Sequence, residues 1–335
     1  MEAHRIRVLE PPEGIPATNM PVLVPLLDRN TATTGTMTIA TGLLVVLGAV
    51  LAISGGHGIA VPTALLVFMT PSSLYLGYSA LAGSSPMRKL THKPFRLVSG
   101  LDGALVAGSR VSVPLDGRWL VVRFPVPLRT QLAAQRRLWV LGRFVVLPGV
   151  VVPRRGAFRD KPVKGSVPFA AEPASPGRIL AAQRRLLSAY YFVSVVMLLV
   201  MSAFGFWATA DHPRRDGVVV KGAWFFGYGC AVGALGLAIA AVVLLRKLPE
   251  PRWTELAVVS GPASVNFFGM VTVKGRTVLP DGREVTVQAG GSDPSLAANI
   301  AATGRLWVLG VPAAGKAAKA GVPGHAVFGP VRFGR

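Results

Sequence analysis

The chain has 335 residues and a formal net charge of +21, and 51% of its residues are hydrophobic whereas only 15% are charged. Soluble domains are typically about 25% charged, so this composition argues against a chain built from soluble domains alone. It indicates long apolar segments with basic flanks. The single cysteine, Cys230, excludes an intramolecular disulfide bond.

Two pairs of apolar runs divide the chain. Residues 1–35 lack the basic start and apolar run of a secretory signal and predict a cytoplasmic tail. Residues 36–82 and residues 186–245 each contain two runs that approach or exceed the roughly 20 helical residues needed to cross a bilayer. These runs are Met37–Ser54, Ile59–Ala82, Leu186–Ala208 and Val218–Leu245. The sequence therefore predicts an integral membrane α-helical fold, with four transmembrane helices arranged as two hairpins.

Each predicted hairpin is followed by a basic segment, residues 83–185 and residues 246–335. Of the 36 Lys and Arg residues, 19 fall in the first segment, 11 in the second and 3 in the N-terminal tail. Because Lys and Arg collect on the cytoplasmic side of membrane proteins, both termini and both segments are expected in the cytoplasm. This distribution predicts a multi-pass protein of the plasma (inner) membrane.

The two basic segments share a sequence pattern. The hexapeptide Arg137–Gly142 recurs as Arg305–Gly310, and shorter matches precede it in the same order. In both segments, short strands precede one short helix and further strands follow it. We therefore expect an internal duplication of hairpin plus domain, with two small β-rich domains compatible with OB-like barrels. Biased composition is the alternative explanation, because Leu132–Leu138 also recurs as Leu180–Leu186 at a position that is not equivalent.

Small and basic residues next to the predicted spans indicate helix packing and lipid contacts. Gly229, Gly233 and the nearby Gly236 have the small-xxx-small spacing that lets two helix backbones approach closely, either within the chain or in a homo-oligomer. Cationic side chains near the inner ends of the spans are expected to contact anionic lipid head groups. They are Arg88, Lys89, Arg184, Arg185, Arg246 and Lys247.

No pattern in the sequence predicts a catalytic, cofactor or metal site. His57 and His212 lack ligand spacing, and we interpret them as solvated loop residues. Gly310–Lys316 has the glycine spacing of a phosphate-binding loop, but Ala317 replaces the required Ser or Thr, so this segment is expected to be a flexible loop. Trp139 and Trp307 lie in apolar strand sequences and are expected in the core.

These observations favour a membrane-anchored interaction or regulatory protein, with cytoplasmic domains at the anionic leaflet. We do not expect a cofactor, and the absence of a catalytic motif favours a protein that is not an enzyme. A lipid bilayer and a homo-oligomer or membrane protein are the expected partners. Nucleic acid is not an expected partner, because lipid contact and topology explain the basic clusters. The alternative function is a transport or channel component with a pore between the hairpins or in an oligomer.

Overall fold

A computed structural model describes residues 6–11, 13–16, 39, 42–43, 46, 92–171, 176–210, 217–245, 252–265, 271–291 and 294–335. The chain divides into two compact units. Unit 1 comprises residues 1–33, 82–183 and 249–335, and it contains both β-sheets. Unit 2 comprises residues 34–81 and 184–248, and its described part is almost entirely helical.

The first sheet has eight antiparallel strands in the order β1-β5-β6-β7-β4-β3-β2-β8. Helix α1, Val126–Gln135, connects β4 to β5 and has Pro127 in its first turn, where a missing backbone N–H is tolerated. The sheet is curled but not closed, because β1 and β3 do not pair. Its strands are β1 (Arg96–Ser99), β2 (Leu105–Ala107), β3 (Arg110–Leu115), β4 (Arg118–Arg123), β5 (Arg137–Leu141), β6 (Phe144–Val146), β7 (Arg154–Arg159) and β8 (Val167–Pro168).

The second sheet has seven antiparallel strands and closes on itself. Its order is β10-β11-β12-β15-β14-β13-β9, and β11 also pairs with β9, which completes a six-stranded barrel. Helix α4, Ser295–Thr303, connects β12 to β13. The strands are β9 (Trp253–Ser260), β10 (Ser264–Val265), β11 (Val271–Val278), β12 (Glu284–Gly291), β13 (Arg305–Leu309), β14 (Ala317–Gly321) and β15 (Phe328–Phe333).

The two sheets share one strand order. The series β1-β5-β6-β7-β4-β3 in the first corresponds to β9-β13-β14-β15-β12-β11 in the second, with the helix inserted at the same point. The recurring hexapeptide begins β5 in one sheet and β13 in the other. This topology corrects the prediction of two OB-like barrels, since the closed barrel has six strands and the other sheet is open.

Reciprocal hydrogen bonds join the two sheets through their helices. Gln135 Nε2 donates to Gly324 O (3.4 Å), and Asn299 Nδ2 donates to Gly149 O (2.6 Å). One turn earlier in each helix, at Gln131 and Ser295, a side-chain oxygen accepts a hydrogen bond from a backbone N–H. The donor lies two residues beyond the turn glycine, Gly324 or Gly149, of the opposite sheet. These bonds are Ala326 N to Gln131 Oε1 (2.8 Å) and Val151 N to Ser295 Oγ (3.1 Å). Each helix therefore binds the turn of the other sheet at matching positions.

The two turns that receive these helices have the same design. Leu147-Pro-Gly-Val150 and Val322-Pro-Gly-His325 each close with a hydrogen bond from the fourth residue N–H to the first residue C=O. Gly149 and Gly324 have φ of +74° and +77°. Proline followed by a positive-φ glycine defines a type II turn, in which only glycine is unstrained at the third position. These turns present their carbonyl groups to the opposite helix.

One hydrophobic core extends through both sheets of unit 1, from Phe95 to Phe333. The N-terminal segment belongs to it, since Ile6, Val8 and Leu9 pack against the core. Leu9 N donates to Asn299 Oδ1 (2.9 Å), and Leu9 O accepts from Gly149 N (2.9 Å). The segment predicted as a tail therefore contributes residues 6–11 to the two-sheet unit.

The prediction of an integral membrane fold with four transmembrane helices is wrong. The described residues form fifteen strands in two sheets, and their four helices include one apolar stretch long enough to cross a bilayer, Gly177–Ala203 in helix α2 (Pro176–Ala210). Helix α3 (Gly217–Leu245) has a shorter apolar stretch. The predicted runs Leu186–Ala208 and Val218–Leu245 do fall within α2 and α3. Hydropathy alone overestimates the number of spans because an apolar run indicates burial, in protein or in lipid, and does not by itself establish a crossing. The runs 37–54 and 59–82 lie outside the described residues, apart from four helical positions in the first.

Candidate membrane-contacting and anion-binding surfaces

Helices α2 and α3 pack against each other in unit 2 through small residues and two hydroxyl groups. Ser202 Oγ donates to Gly227 O (2.8 Å), and Ser188 Oγ donates to Ala241 O (3.5 Å). A Cβ at Gly227 would lie 3.0 Å from the Phe206 ring, so the absence of a side chain permits this close approach. Small residues at the interface and serine hydroxyls bonded to backbone carbonyls are typical of helices that associate in lipid.

The three glycines predicted for helix packing occupy different environments. A Cβ at Gly233 would lie 3.4 Å from Leu198 of α2, whereas one at Gly229 or Gly236 would meet nothing within 4 Å. Among the described residues of α3, the buried ones are Gly227, Cys230, Ala234 and Ala241. Their three- to seven-residue spacing follows one helix face. Of the three predicted glycines, only Gly233 lies against α2, and the spacing rule did not identify Gly227, Cys230, Ala234 and Ala241.

The outer faces of the same two helices are apolar and exposed. On α2 the large apolar side chains with an exposed surface include Phe192, Val193 and Leu199, and on α3 they include Val232 and Leu235. Val193 is 60% exposed and Val232 69% exposed. Contiguous apolar surface of this kind is rare on a soluble protein and marks a partner or membrane interface.

Of the six cations predicted to contact lipid, the structure describes two. Arg184 and Arg185 lie on α2, where Arg185 is exposed and Arg184 half-buried. Earlier in the same helix, Ile179 is fully buried in the core of unit 1. Arg88, Lys89, Arg246 and Lys247 lie outside the described residues.

A cationic cluster lies on strands β3 and β4 of the first sheet and on the segment that follows β7. Arg110 of β3 and Arg123 of β4 are direct cross-strand partners, an arrangement in which like charges repel. A recess of about 560 Å³ adjoins them, lined by Arg110, Arg159, Asp160, Lys161, Pro162, Val163 and Lys164. Its one carboxylate, Asp160, lies 3.5 Å from Arg118. With four cations and one carboxylate, the lining of this recess has a net positive charge that attracts anions.

The two tryptophans expected in the core differ. Trp139 is buried in β5, where all residues after Arg137 are buried, so both faces of this strand are covered. Trp307 is half-buried, because β13 buries only the alternate residues Leu306 and Val308 against the barrel interior. The core expectation for Trp307 is therefore only partly correct. The indole lies on the outward face, as the two-residue period of a strand requires.

His325 is the buried titratable group of the interface between the sheets. Its Nδ1–H donates to Pro323 O (3.0 Å), and the ring lies close to Gly149 of the opposite turn. Burial lowers the pKa of His325 from 6.5 to about 4, and Arg137 contributes to this decrease. The imidazole is therefore neutral at physiological pH, and it has a packing role in this interface.

The described residues contain no group of three His, Cys, Asp or Glu side chains arranged to hold a metal ion. His57 and His212, considered as metal ligands, lie outside the described residues. The segment that resembles a phosphate-binding loop runs from Gly310 into a turn and then into strand β14 instead of a helix. A helix N-terminus that could hold phosphate is therefore missing there. Comparison with protein-family models, curated proteins and solved structures found no match, so any functional proposal rests on the geometry of these surfaces.

Proposed function

We propose that this protein is a membrane-attached interaction or regulatory protein. In this proposal, the outward apolar face of α2 and α3 lies in a lipid bilayer, and the two-sheet unit interacts with anionic head groups or with a membrane partner. The distribution of Lys and Arg along the sequence supports a cytoplasmic position for the two-sheet unit.

The observation that carries the proposal is the exposed apolar face of the helix pair. The α2–α3 contacts use small residues and hydroxyls on the inner faces, while valine, leucine and phenylalanine side chains point outward. In water this arrangement would leave the larger apolar groups unburied, against the hydrophobic effect. In lipid the same arrangement is stable, because the chains meet hydrocarbon and the polar serines are satisfied within the pair.

Charge on the first sheet supports a leaflet as the neighbouring surface. Residues 83–185 contain 19 Lys and Arg against 4 Asp and Glu. Each cation near an anionic leaflet contributes about 1 kcal/mol of attraction. Arg110, Arg159, Lys161 and Lys164 place four of these charges around one recess of the sheet.

The proposal is tested with matched valine-to-aspartate changes in the full chain. The double variant Val193→Asp, Val232→Asp places carboxylates on the outward helix face. The control Val278→Asp, Val311→Asp alters valines of similar exposure, 57% and 85%, in unit 1. A carboxylate at the centre of a membrane helix costs about 3 kcal/mol. The first variant should therefore leave the alkaline-carbonate-resistant membrane fraction, whereas the control should stay in it.

The proposal fails if the unaltered protein is recovered in the carbonate-soluble fraction. It also fails if both double variants behave alike, because the outward helix face would then have no special relation to lipid.

A further inference from the structure

A groove of about 700 Å³ crosses the outside of the closed barrel where its seam is formed. It runs over the adjacent strands β9, β11, β12 and β15. Its lining consists of Val259, Ser260, Gly261, Lys274, Gly275, Arg276, Thr286, Val287, Gln288, Arg332, Phe333 and Gly334. Three of these residues are cations and none is an acid.

Strand register places the polar side chains of the groove in two parallel rows. Lys274 pairs with Gln288, which pairs with Arg332 on the next strand. Arg276 pairs with Thr286 in the second row. Neighbouring strands lie about 4.8 Å apart and residues two apart along a strand about 7 Å apart, so Lys274 and Arg332 are separated by about 10 Å at their backbones. Alternation along each strand points all five side chains to the outer face.

Two glycines of the groove lining allow neighbouring strands to approach closely. A Cβ at Gly275 would lie 2.6 Å from Val259 O and 2.8 Å from Val258 Cγ1. A Cβ at Gly334 would overlap Thr286 Oγ1. Gly275 faces the inner side of β11, between the buried Val273 and Thr277, and lets β9 approach closely at the seam. Gly334 leaves the outer surface open beside Thr286. A recess lined by charge of one sign concentrates the field and attracts a counter-ion.

The charge of the groove is little compensated by the protein. Arg276 lies 3.7 Å from Glu284, but both side chains are largely exposed, and such a pair contributes little. Within the described part of the chain, no carboxylate lies within ion-pair distance of Lys274 or Arg332. The cluster on the first sheet differs in this respect, since its recess contains Asp160.

We propose that this groove binds a phosphate-bearing ligand with two or more negative charges. The guanidinium groups of Arg332 and Arg276 offer forked donors that match phosphate oxygens, and Lys274 adds a point charge. Gln288 and Thr286 lie between or beside the cations and supply neutral donors. The cations span about 10 Å by 7 Å, which is wider than one carboxylate and suits a ligand with more than one charged group. The proposal goes beyond membrane attachment and does not depend on it.

The test measures binding of inorganic diphosphate to the full chain in nanodiscs of phosphatidylcholine, at constant ionic strength. The double variant Lys274→Gln, Arg332→Gln should raise the Kd for diphosphate about tenfold or more, because it removes two charge-assisted contacts. Lys316→Gln is the control, since Lys316 is an exposed cation of the same barrel outside the groove. It should change the Kd less than about twofold. Unchanged circular dichroism spectra will show that the variants are folded.

A second arm distinguishes the source of the phosphate. Nanodiscs that also contain phosphatidic acid should raise the apparent Kd for diphosphate if lipid head groups occupy the groove, and should leave it unchanged if the ligand is soluble. Either result retains the phosphate site. The proposal is overturned if the unaltered chain does not bind diphosphate. It is also overturned if Lys316→Gln, which removes one charge, raises the Kd by at least the square root of the factor by which the double groove variant, which removes two charges, raises it.

Discussion

Asn299 links three parts of unit 1, and its replacement should expose how much the two sheets depend on each other. Its side chain is 2% exposed. Oδ1 accepts from Leu9 N (2.9 Å), and Nδ2 donates to Gly149 O (2.6 Å) and to Ser295 O (2.6 Å). Asn299→Ala removes these bonds and leaves a backbone N–H and a backbone C=O without their partner.

The expected loss of stability follows from the two backbone groups, Leu9 N–H and Gly149 C=O, that lose their hydrogen-bond partner. A buried polar group left without its partner costs about 1–3 kcal/mol, so two such groups cost about 2–6 kcal/mol. The better helix propensity of alanine returns about 0.5 kcal/mol. The bond to Ser295 O adds little to this sum, because that carbonyl already accepts the backbone bond within α4. A loss of this size is a large fraction of the 5–15 kcal/mol that typically stabilises a folded protein.

The assay is urea unfolding of the full chain in detergent, followed by hydrogen exchange with mass spectrometry. Asn299→Ala should lower the unfolding midpoint and increase amide exchange in residues 6–11 and 147–153 together. Gln135→Ala is the matched control, because Gln135 holds the equivalent position in α1 with a 3.4 Å bond to Gly324 O. That half-buried, longer bond should cost about 1 kcal/mol or less.

Equal destabilisation by Asn299→Ala and Gln135→Ala would refute this reasoning, because the difference in burial and bond length would then have no energetic consequence. Faster exchange confined to α4, with residues 6–11 and 147–153 still protected, would also refute it. That result would show that Asn299 stabilises its own helix but does not connect the N-terminal segment and the first sheet to the barrel.

Three further predictions concern individual residues of unit 1. The pKa of His325 falls from 6.5 to about 4 on folding. Its contribution to stability should therefore be complete above pH 6.5 and decrease by about 3 kcal/mol as the pH falls to about 4. His325→Leu should abolish this part of the pH dependence in unfolding experiments. Gly156→Ala should destabilise by about 1–3 kcal/mol, because a Cβ there would lie 2.8 Å from Leu120 Cδ1 and 2.9 Å from Val122 Cγ2; Gly261→Ala, which meets ordinary contacts only, should leave the thermal midpoint unchanged. Glu10→Gln breaks a half-exposed ion pair with Arg137 and should cost less than about 1 kcal/mol in a chemical denaturation curve.

Local sequence patterns predicted the order of elements in each basic segment. Strands before one short helix and further strands after it were expected, and the observed elements follow this order. Strand β14 was missed because Ala317–Gly321 has low β propensity. It forms because β13 and β15 pair with it on both sides, and Gly321 permits close approach to Val327 O. Pairing between distant segments outweighs local preference here.

The features that define the candidate sites depend on long-range geometry. Closure of the barrel joins β9 to β11, and this closure forms the groove beside Gly275. No spacing in the sequence brings Lys274 and Arg332 into one row, since 57 residues separate them along the chain. Likewise, Gln131 and Asn299 read as ordinary helix residues until the two turns that they bind are placed opposite them. Hydropathy predicted the apolar character of α2 but assigned too much of the chain to membrane helices.

The central claim is that the outward face of the helix pair contacts lipid. Nitroxide labels at Val232→Cys and Val278→Cys, each in a Cys230→Ser background, test it directly in the full chain reconstituted into liposomes. The background is needed because Cys230 is the single native cysteine. The account predicts that the label at position 232 is relaxed more strongly by oxygen, which partitions into lipid, and the label at 278 by a water-soluble nickel chelate. Stronger relaxation of the position 232 label by the nickel chelate would contradict the account.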